Sequence, residues 1–352
     1  MIRIADYIIE IGPGAGEKGG VLIGEGTLNA MMNHSGTQIS KYMKEDMLLK
    51  RSRMANTFNR NELISMKNLT SNNLKNITVE FPKNALTCIC GISGSGKSSL
   101  MKGEIYHRAL AGKEFSDTVL VDQLPIGKTS KSIIATYIGF MDFIRSEFAA
   151  TSMSVHNGWD ESYFSFNSQS GQCDTCMGEG KIKVKYMEGT YIQCSDCKGK
   201  RYKKAILSVL YRDKSIDEIL NMSVNEAIQF WETEREAIAG LKSLQKVGLG
   251  YLKLGQGTST LSGGEASRLK LAKELITKKS DNVLYLLDEP TTGLHFSDID
   301  NLLLLISELI SNGNTVIAIE HNKQFMSCCD WKIELGPGAG KDGGRVISQG
   351  AL

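Results

Sequence analysis

The 352-residue chain lacks a charge excess, a long apolar run, a leader pattern and a sustained heptad repeat. Lys and Arg number 41 against 39 Asp and Glu, a formal charge of +2, so the whole-molecule field gives no reason to expect a polyanionic partner. Any nucleic-acid surface must therefore be local. The longest apolar stretches, Val283 to Leu287 and Leu302 to Ile306, fall far short of the roughly 20 residues that cross a bilayer. Met1 to Glu10 carries Arg3, Asp6 and Glu10 among its apolar residues and has no cleavage-site pattern, which argues against a secretory signal and for a cytoplasmic setting. The missing heptads exclude a long coiled coil. What is present, 41% hydrophobic residues, is enough to build a core.

Eight cysteines would suit a disulfide framework in a short secreted chain, but four of them form two tight pairs, Cys173-x-x-Cys176 and Cys194-x-x-Cys197. The 17 residues between the pairs fall inside the roughly 15 to 20 of a four-thiolate zinc site, so metal is the better reading. Gly178, Gly180 and Gly199 suit the tight knuckle turns. An iron–sulfur cluster or a redox dithiol are the alternatives. Around the pairs lie Lys181, Lys183, Lys185, Lys198, Lys200, Arg201, Lys203 and Lys204, interleaved with Tyr186, Tyr191 and Tyr202. That pattern fits a nucleic-acid surface and equally a solvated rim around a metal staple. Cys88, Cys90, Cys328 and Cys329 read as plain buried residues.

A second group of motifs concerns phosphate. Gly91-Ile92-Ser93-Gly94-Ser95-Gly96-Lys97-Ser98, followed by Ser99, fits GxxxxGK[ST] after an apolar strand and before an apolar-periodic helix, the context a phosphate loop requires. Its glycines let backbone N–H groups turn toward phosphate, Lys97 reaches the β and γ phosphates of ATP, and Ser98 suits magnesium. Val283 to Leu287 is a buried-strand run ending in Asp288 and Glu289. Asp288 is the second magnesium ligand expected, and Glu289 the general base for an attacking water. Leu261-Ser262-Gly263-Gly264-Glu265 opens a helix and resembles the ABC signature, in which Ser262 and the two glycines contact a nucleotide held by the facing domain. Gln123 matches the Q-loop and His321 the switch histidine of that family. One phosphate loop and one signature cannot complete such a site alone, so the chain is expected to pair head-to-tail with a copy or with a missing half.

An internal repeat supports the second possibility. Residues 5–20 read ADYIIEIGPGAGEKGG and residues 329–344 read CDWKIELGPGAGKDGG, an offset of 324. The later copy closes a nucleotide-binding domain, so the first is expected to close another. Residues 1–40 then form the tail of a preceding domain and 41–61 a linker, its basic run Lys41, Lys44, Lys50, Arg51, Arg53 and Arg60 reading as a solvated connector. Residues 62–130 and 251–352 form the two parts of the ATP-binding core, and 131–250 an insertion with a zinc module at about 165–205. A strand is expected from near Leu63, with Leu74, Ile77, Val79 and Phe81 alternating, and a helix over Asn225 to Val247. The alternation of helix and strand in the last hundred residues implies an α/β fold with a parallel core, an antiparallel flank and a helical signature region.

With these motifs in place the chain resembles the UvrA family. The likeness runs through NNLKNITVEFP, VDQLPIGKTSKS, ATYIGFMDFIR, SFNSQSGQCDTCMGEG, CKGKRY, VGLGYLKLGQGTSTLSGGEASRLKLAKEL, LLDEPTTGLH, GNTVIAIEHN and the closing LGPGAG. It implies the second nucleotide-binding half of a DNA-binding ABC ATPase, using ATP, Mg²⁺ and Zn²⁺ to control its grip on damaged duplex DNA in nucleotide excision repair. Lys128, Lys131 and Arg145 match basic positions of a segment associated with DNA contact, with Lys200 and Arg201 behind them. Lys128 stands where the family usually has arginine, and Ser130 and Ile133 depart from its PRSNPATY stretch. The domain that docks UvrB belongs to the first half, which these residues do not contain. A related ATPase of drug self-resistance, or a transporter ATPase subunit, are the competing readings, the latter without a reason for four paired cysteines.

Overall fold

Mainly apolar runs, such as Leu86–Gly91 and Val283–Asp288, form strands buried along almost their whole length, as parallel sheets covered on both faces require. The computed structural model describes residues 2–12, 19–37, 39–40, 62–126, 131–184, 189–277, 281–294 and 296–352. The linker 41–61 and the loop carrying Lys128 and Ser130 lie outside them. In chain order the strands are β1 (Ile8–Gly12), β2 (Val21–Gly26), β3 (Leu63–Leu69), β4 (Ile77–Pro82), β5 (Leu86–Gly91) and β6 (Asp117–Val121). They continue with β7 (Lys181–Lys183), β8 (Tyr191–Gln193), β9 (Val283–Asp288), β10 (Thr315–Ile319), β11 (Trp331–Gly336) and β12 (Arg345–Ala351). No helix among the described residues is long and apolar enough to cross a membrane.

Residues 1–124 and 278–352 form one compact unit, and residues 125–277 a second. The first contains a six-stranded sheet in the order β12-β11-β5-β10-β9-β6. Five strands run parallel, and β12 pairs antiparallel with β11 at the edge. The antiparallel pair β3–β4 adds Val79 and Phe81 to the core. Against them pack Leu100, Met101 and Ile105 of the helix after the phosphate loop, with Ile89, Leu286, Ile317 and Ile333 from the sheet. Leu74, expected within a strand, instead lies in the turn joining β3 to β4. Asn72 and Asn76, both at positive φ, shape that turn. Of the cysteines read as buried, Cys88, Cys90 and Cys329 are, while Cys328 is only half-buried.

The repeat is structural as well as sequential. β1–β2 pairs Ile8 with Gly26, Ile9 with Glu25 and Glu10 with Gly24, then slips between Glu10 and Ile11. β11–β12 pairs Lys332 with Gly350, Ile333 with Gln349 and Glu334 with Ser348, then slips between Glu334 and Leu335. Every pair and the bulge recur 324 residues later, but the environments differ. Ile333 and Leu335 lie against β5 at 0% and 1% exposure, whereas their counterparts Ile9 and Ile11 are 60% and 67% exposed. The N-terminal hairpin carries only a small core of its own, Ile8, Met31 and Ile39.

In the second unit the stretch expected as one helix is two, Val224–Phe230 and Ala239–Lys246. Trp231, wholly buried between Phe140 and Phe230 with ring centroids 5.2 and 4.7 Å away, anchors the break. Glu232 and Glu236 would repel one another one turn apart in a continuous helix, which favours the break.

Candidate functional site

The phosphate loop leaves the end of β5 through backbone that only glycine adopts without strain: Gly91, Gly94 and Gly96 have φ of 138°, 78° and 106°. At Gly91 a Cβ would stand 2.2 Å from the Leu335 carbonyl oxygen of β11, so glycine is required for packing as well as for φ. The loop is braced from behind by the closing repeat segment. The Gly340 and Gly344 N–H groups donate to the Gly94 and Ser95 carbonyls at 2.9 Å each. Asn73 Nδ2 donates to both Gly94 and Gly340 carbonyls at 3.2 Å. Lys97, nearly buried, folds back to donate to the Gly91 and Ile92 carbonyls at 3.0 and 2.9 Å. Burial pulls its ammonium below the usual lysine value, against the pull of Glu289, Cys90 and Asp288. Ser95 Oγ is buried and makes no hydrogen bond within the protein, a polar atom suited to an anion in the loop. Ser93 and Ser98 are exposed, and Ser99 Oγ accepts from Asn72 Nδ2 at 3.1 Å.

The acidic pair sits at the end of β9, beside β10, as its sequence position leads one to expect. Asp288 closes the strand, with Lys102 Nζ 2.6 Å from its Oδ2. Glu289 adopts φ 47°, uncommon for a side-chain-bearing residue, and its N–H donates to the Ile319 carbonyl at 3.0 Å. This turn brings its carboxylate to 3.9 Å from His321 Nε2 and 3.4 Å from Thr292 Oγ1. Gln123 Nε2 reaches Thr292 Oγ1 at 3.5 Å. Buried Glu320 ties the region together, accepting from the N–H groups of Thr291, His321 and Asn322 at 2.8, 3.0 and 3.1 Å. Gly91, Ser93, Lys97, Glu289 and His321 thus line one open cleft of about 970 Å³. Its charged and hydroxyl groups are the hard oxygen and cationic set that a nucleotide phosphate with magnesium requires.

The signature lies in the second unit. Ser262 caps the helix Gly263–Thr277: its Oγ donates to Glu265 Oε2 at 2.8 Å and accepts from the Glu265 N–H at 3.3 Å. Tyr251 donates to Glu265 Oε1 at 2.5 Å, and Arg268 Nε to the Gly264 carbonyl at 3.2 Å. Burial alone would raise the Glu265 carboxyl, but the Tyr251 and Ser262 hydrogen bonds hold it below the usual range. Tyr251 is pushed up to about 12 by burial and by Glu265.

The four paired cysteines converge, all buried, with ligand atoms within 4.8 Å of one another. Cys173 and Cys194 sulfurs are 3.9 Å apart, and Cys176 and Cys197 3.6 Å. A tetrahedron with Zn–S of about 2.3 Å has sulfurs about 3.8 Å apart, so the cluster fits zinc. Disulfide sulfurs would be about 2.05 Å apart. The two knuckles match: Met177 and Gly178 after one pair, Lys198 and Gly199 after the other, all have positive φ. Burial pushes Cys176 up to about 12 and Cys197 upward, while the N–H of Cys197 foremost holds Cys194 down. Without a cation the cluster therefore keeps protons that a metal would expel.

Residues 170–292 match the ABC transporter family. Proteins called UvrABC system protein A from Clostridium perfringens and Aquifex aeolicus are 41% and 42% identical over 99% of this chain. Those matches cover 39% and 40% of the relatives. The crystal structure of UvrA2 from Deinococcus radiodurans aligns with a TM-score of 0.90 and 39% identity, over 99% of this chain and 44% of that one. The chain is similar to UvrA proteins along nearly its whole length. It spans about two fifths of the length of the curated relatives it matches.

The basic residues of this UvrA-like chain are less free than their sequence suggests. Lys200 pairs with Asp217 at 3.2 Å, Lys203 with Asp174 at 3.3 Å, and Arg145 with Asp142. Arg201 lies over the Phe166 ring at 5.1 Å. Tyr202, expected among the stacking aromatics, is buried and donates to the Phe164 carbonyl at 3.2 Å, so it presents no face to a base. Tyr191 is exposed, beneath Lys181 Nζ at 4.4 Å. Lys131 is half-buried, and Lys128, Lys185 and Tyr186 fall outside the described residues. Sequence reasoning misses Asn73, Lys102, Tyr251 and Glu320, whose roles appear only through contacts. For Gly340 and Gly344 the signal was available, since both lie in or beside the repeated GPGAG segment.

Proposed function

We propose that this chain is the second ATP-binding half of a DNA-binding ABC ATPase that hydrolyses ATP to control its hold on damaged duplex DNA in nucleotide excision repair, in a cytoplasmic setting. The observation that carries the reading is the single cleft holding Gly91, Ser93, Lys97, Glu289 and His321, in a chain alike to UvrA proteins along its whole length. Loop N–H groups and Lys97 hold the phosphates, Ser98 and Asp288 hold Mg²⁺, Glu289 takes a proton from the attacking water, and His321 and Gln123 orient the γ-phosphate and that water. Magnesium supplies charge neutralisation on the phosphates when bound. Ser262, Gly263, Gly264 and Glu265 serve the nucleotide of a facing domain. The recurring register of β1–β2 supports reading residues 1–40 as the closing hairpin of that domain's sheet, its exposed Ile9 and Ile11 standing for the buried Ile333 and Leu335. A second copy of this chain is the other pairing partner. Zinc in the cysteine cluster is structural, and a UvrB-type partner would be met by the other half. Lys128, Lys131, Arg145, Lys200 and Arg201 remain the DNA candidates.

The test is ATP hydrolysis against protein concentration, with undamaged and ultraviolet-treated duplex. Specific activity rising with concentration and again with damaged DNA is expected. Glu289→Gln should lower turnover by about 10²- to 10⁴-fold with nucleotide binding kept. Activity indifferent to DNA would sink the repair reading.

A further inference from the structure

We propose that Lys102 is a tethered cation that competes with the divalent ion for Asp288, and so sets the metal concentration at which the nucleotide site loads. This rests on the reading of Ser98 and Asp288 as the magnesium-holding pair. Lys102 belongs to Ser99–Ile105, the first part of the helix after the phosphate loop, wound with wide π-helical turns. It follows Ser98 by about one turn, so the two side chains leave the helix toward the same strand end. Its Nζ stands 2.6 Å from Asp288 Oδ2, and the side chains are 35% and 17% exposed, which leaves the pair partly shielded from solvent. Of the other lysines lining the cleft, Lys97 is committed to the Gly91 and Ile92 carbonyls and Lys332 is paired with Glu334 at 2.8 Å.

An ammonium at that distance already places positive charge on the oxygen that a divalent cation needs. Two cations on one carboxylate oxygen repel, so metal entry requires Lys102 to withdraw. Its flexible four-carbon stem and compact charge allow that. A lysine with a merely structural role would move stability without moving metal affinity. One that only oriented the carboxylate for the metal would strengthen metal binding, so that its removal would weaken it, the opposite sign from competition.

The experiment titrates Mn²⁺, the spectroscopic stand-in for Mg²⁺, into the full chain with saturating ADP, reading free Mn²⁺ by electron paramagnetic resonance. Lys102→Met should tighten Mn²⁺ binding by about two- to fivefold, the scale of a partly exposed ion pair. Lys102→Arg, whose guanidinium can hold a carboxylate through two parallel bonds, should leave it equal or weaker. In an Asp288→Asn background Lys102→Met should change nothing. Thermal unfolding without ligand checks that each variant is folded. Unchanged or weaker Mn²⁺ binding by folded Lys102→Met overturns this proposal alone. A wild-type chain that takes up no Mn²⁺ with ADP overturns the nucleotide-site reading and this inference with it.

Discussion

Gly340 and Gly344 both sit behind the phosphate loop at positive φ, 56° and 78°, yet alanine should affect them very differently. At Gly340 a Cβ meets no atom within 4 Å, so Gly340→Ala adds only left-handed strain, about 1 kcal/mol. At Gly344 it would stand 1.9 Å from the Asn73 carbonyl oxygen and 3.0 Å from Leu74 Cα, both backbone, and something must move. The bonds at risk are Gly344 N–H to the Ser95 carbonyl and Lys75 N–H to the Gly344 carbonyl, each 2.9 Å. Losing both costs about 2 kcal/mol on top of the strain, so Gly344→Ala should cost about 3 kcal/mol. At about 2–4 °C per kcal/mol for a unit of this size, melting falls by roughly 6–12 °C, against roughly 2–4 °C for Gly340→Ala. Because Ser95 is the residue released, ADP affinity measured with a fluorescent analogue should weaken at least about tenfold in Gly344→Ala, equivalent to about 1.4 kcal/mol. Losses in melting temperature and in ADP affinity within twofold of each other for the two variants would refute the claim that the closing segment braces the loop.

Two further outcomes follow from the titrating groups. Burial holds Cys176 and Cys197 protonated through neutral pH unless a cation displaces the protons, so zinc affinity should fall as pH is lowered and rise as pH increases. Metal analysis after dialysis at pH 7 and pH 5 checks this, and Cys176→Ser should drop bound zinc from about one per chain toward zero, the stoichiometry of a four-thiolate site, while ADP binding persists. Equal zinc retention at both pH values would count against the thiolate site. Tyr251→Phe should cost about 1.5–3 kcal/mol at pH 7, the worth of a hydrogen bond to a charged acceptor. Glu265 is held below the usual carboxylate range, so the stability it contributes is present above about pH 4.5 and is lost as pH falls through its lower native value. Thermal melts carried from pH 7 to well below pH 4.5 should therefore show the Tyr251→Phe deficit constant down to about that pH and shrinking beneath it, and a deficit unchanged across the acid limb would remove Glu265 from the explanation.

The parts of this site that can be read from sequence are those whose chemistry constrains neighbours along the chain. A phosphate loop needs glycines at fixed offsets from its lysine, and a metal knuckle needs two thiols separated by two residues. Lys102 and Asp288 meet across 186 positions of sequence, and Asn73 reaches Gly340 across 267, so no local pattern announces either contact. Glu320 reads as an ordinary acid beside His321, and only burial against three N–H groups makes it the tie between two loops. The interleaved tyrosines mislead for a related reason. Composition counts Tyr202 as available, while folding spends it on the Phe164 carbonyl. The repeat shows the limit most directly. β1–β2 and β11–β12 share sequence, pairing and bulge, yet one buries its isoleucine and leucine side chains and the other leaves its isoleucines exposed. The period-two apolar pattern specifies the face that a strand must cover. Whether that face is covered depends on a neighbouring strand, which β5 supplies to β11 and which no described strand but β2 supplies to β1, so that Ile9 and Ile11 stay exposed.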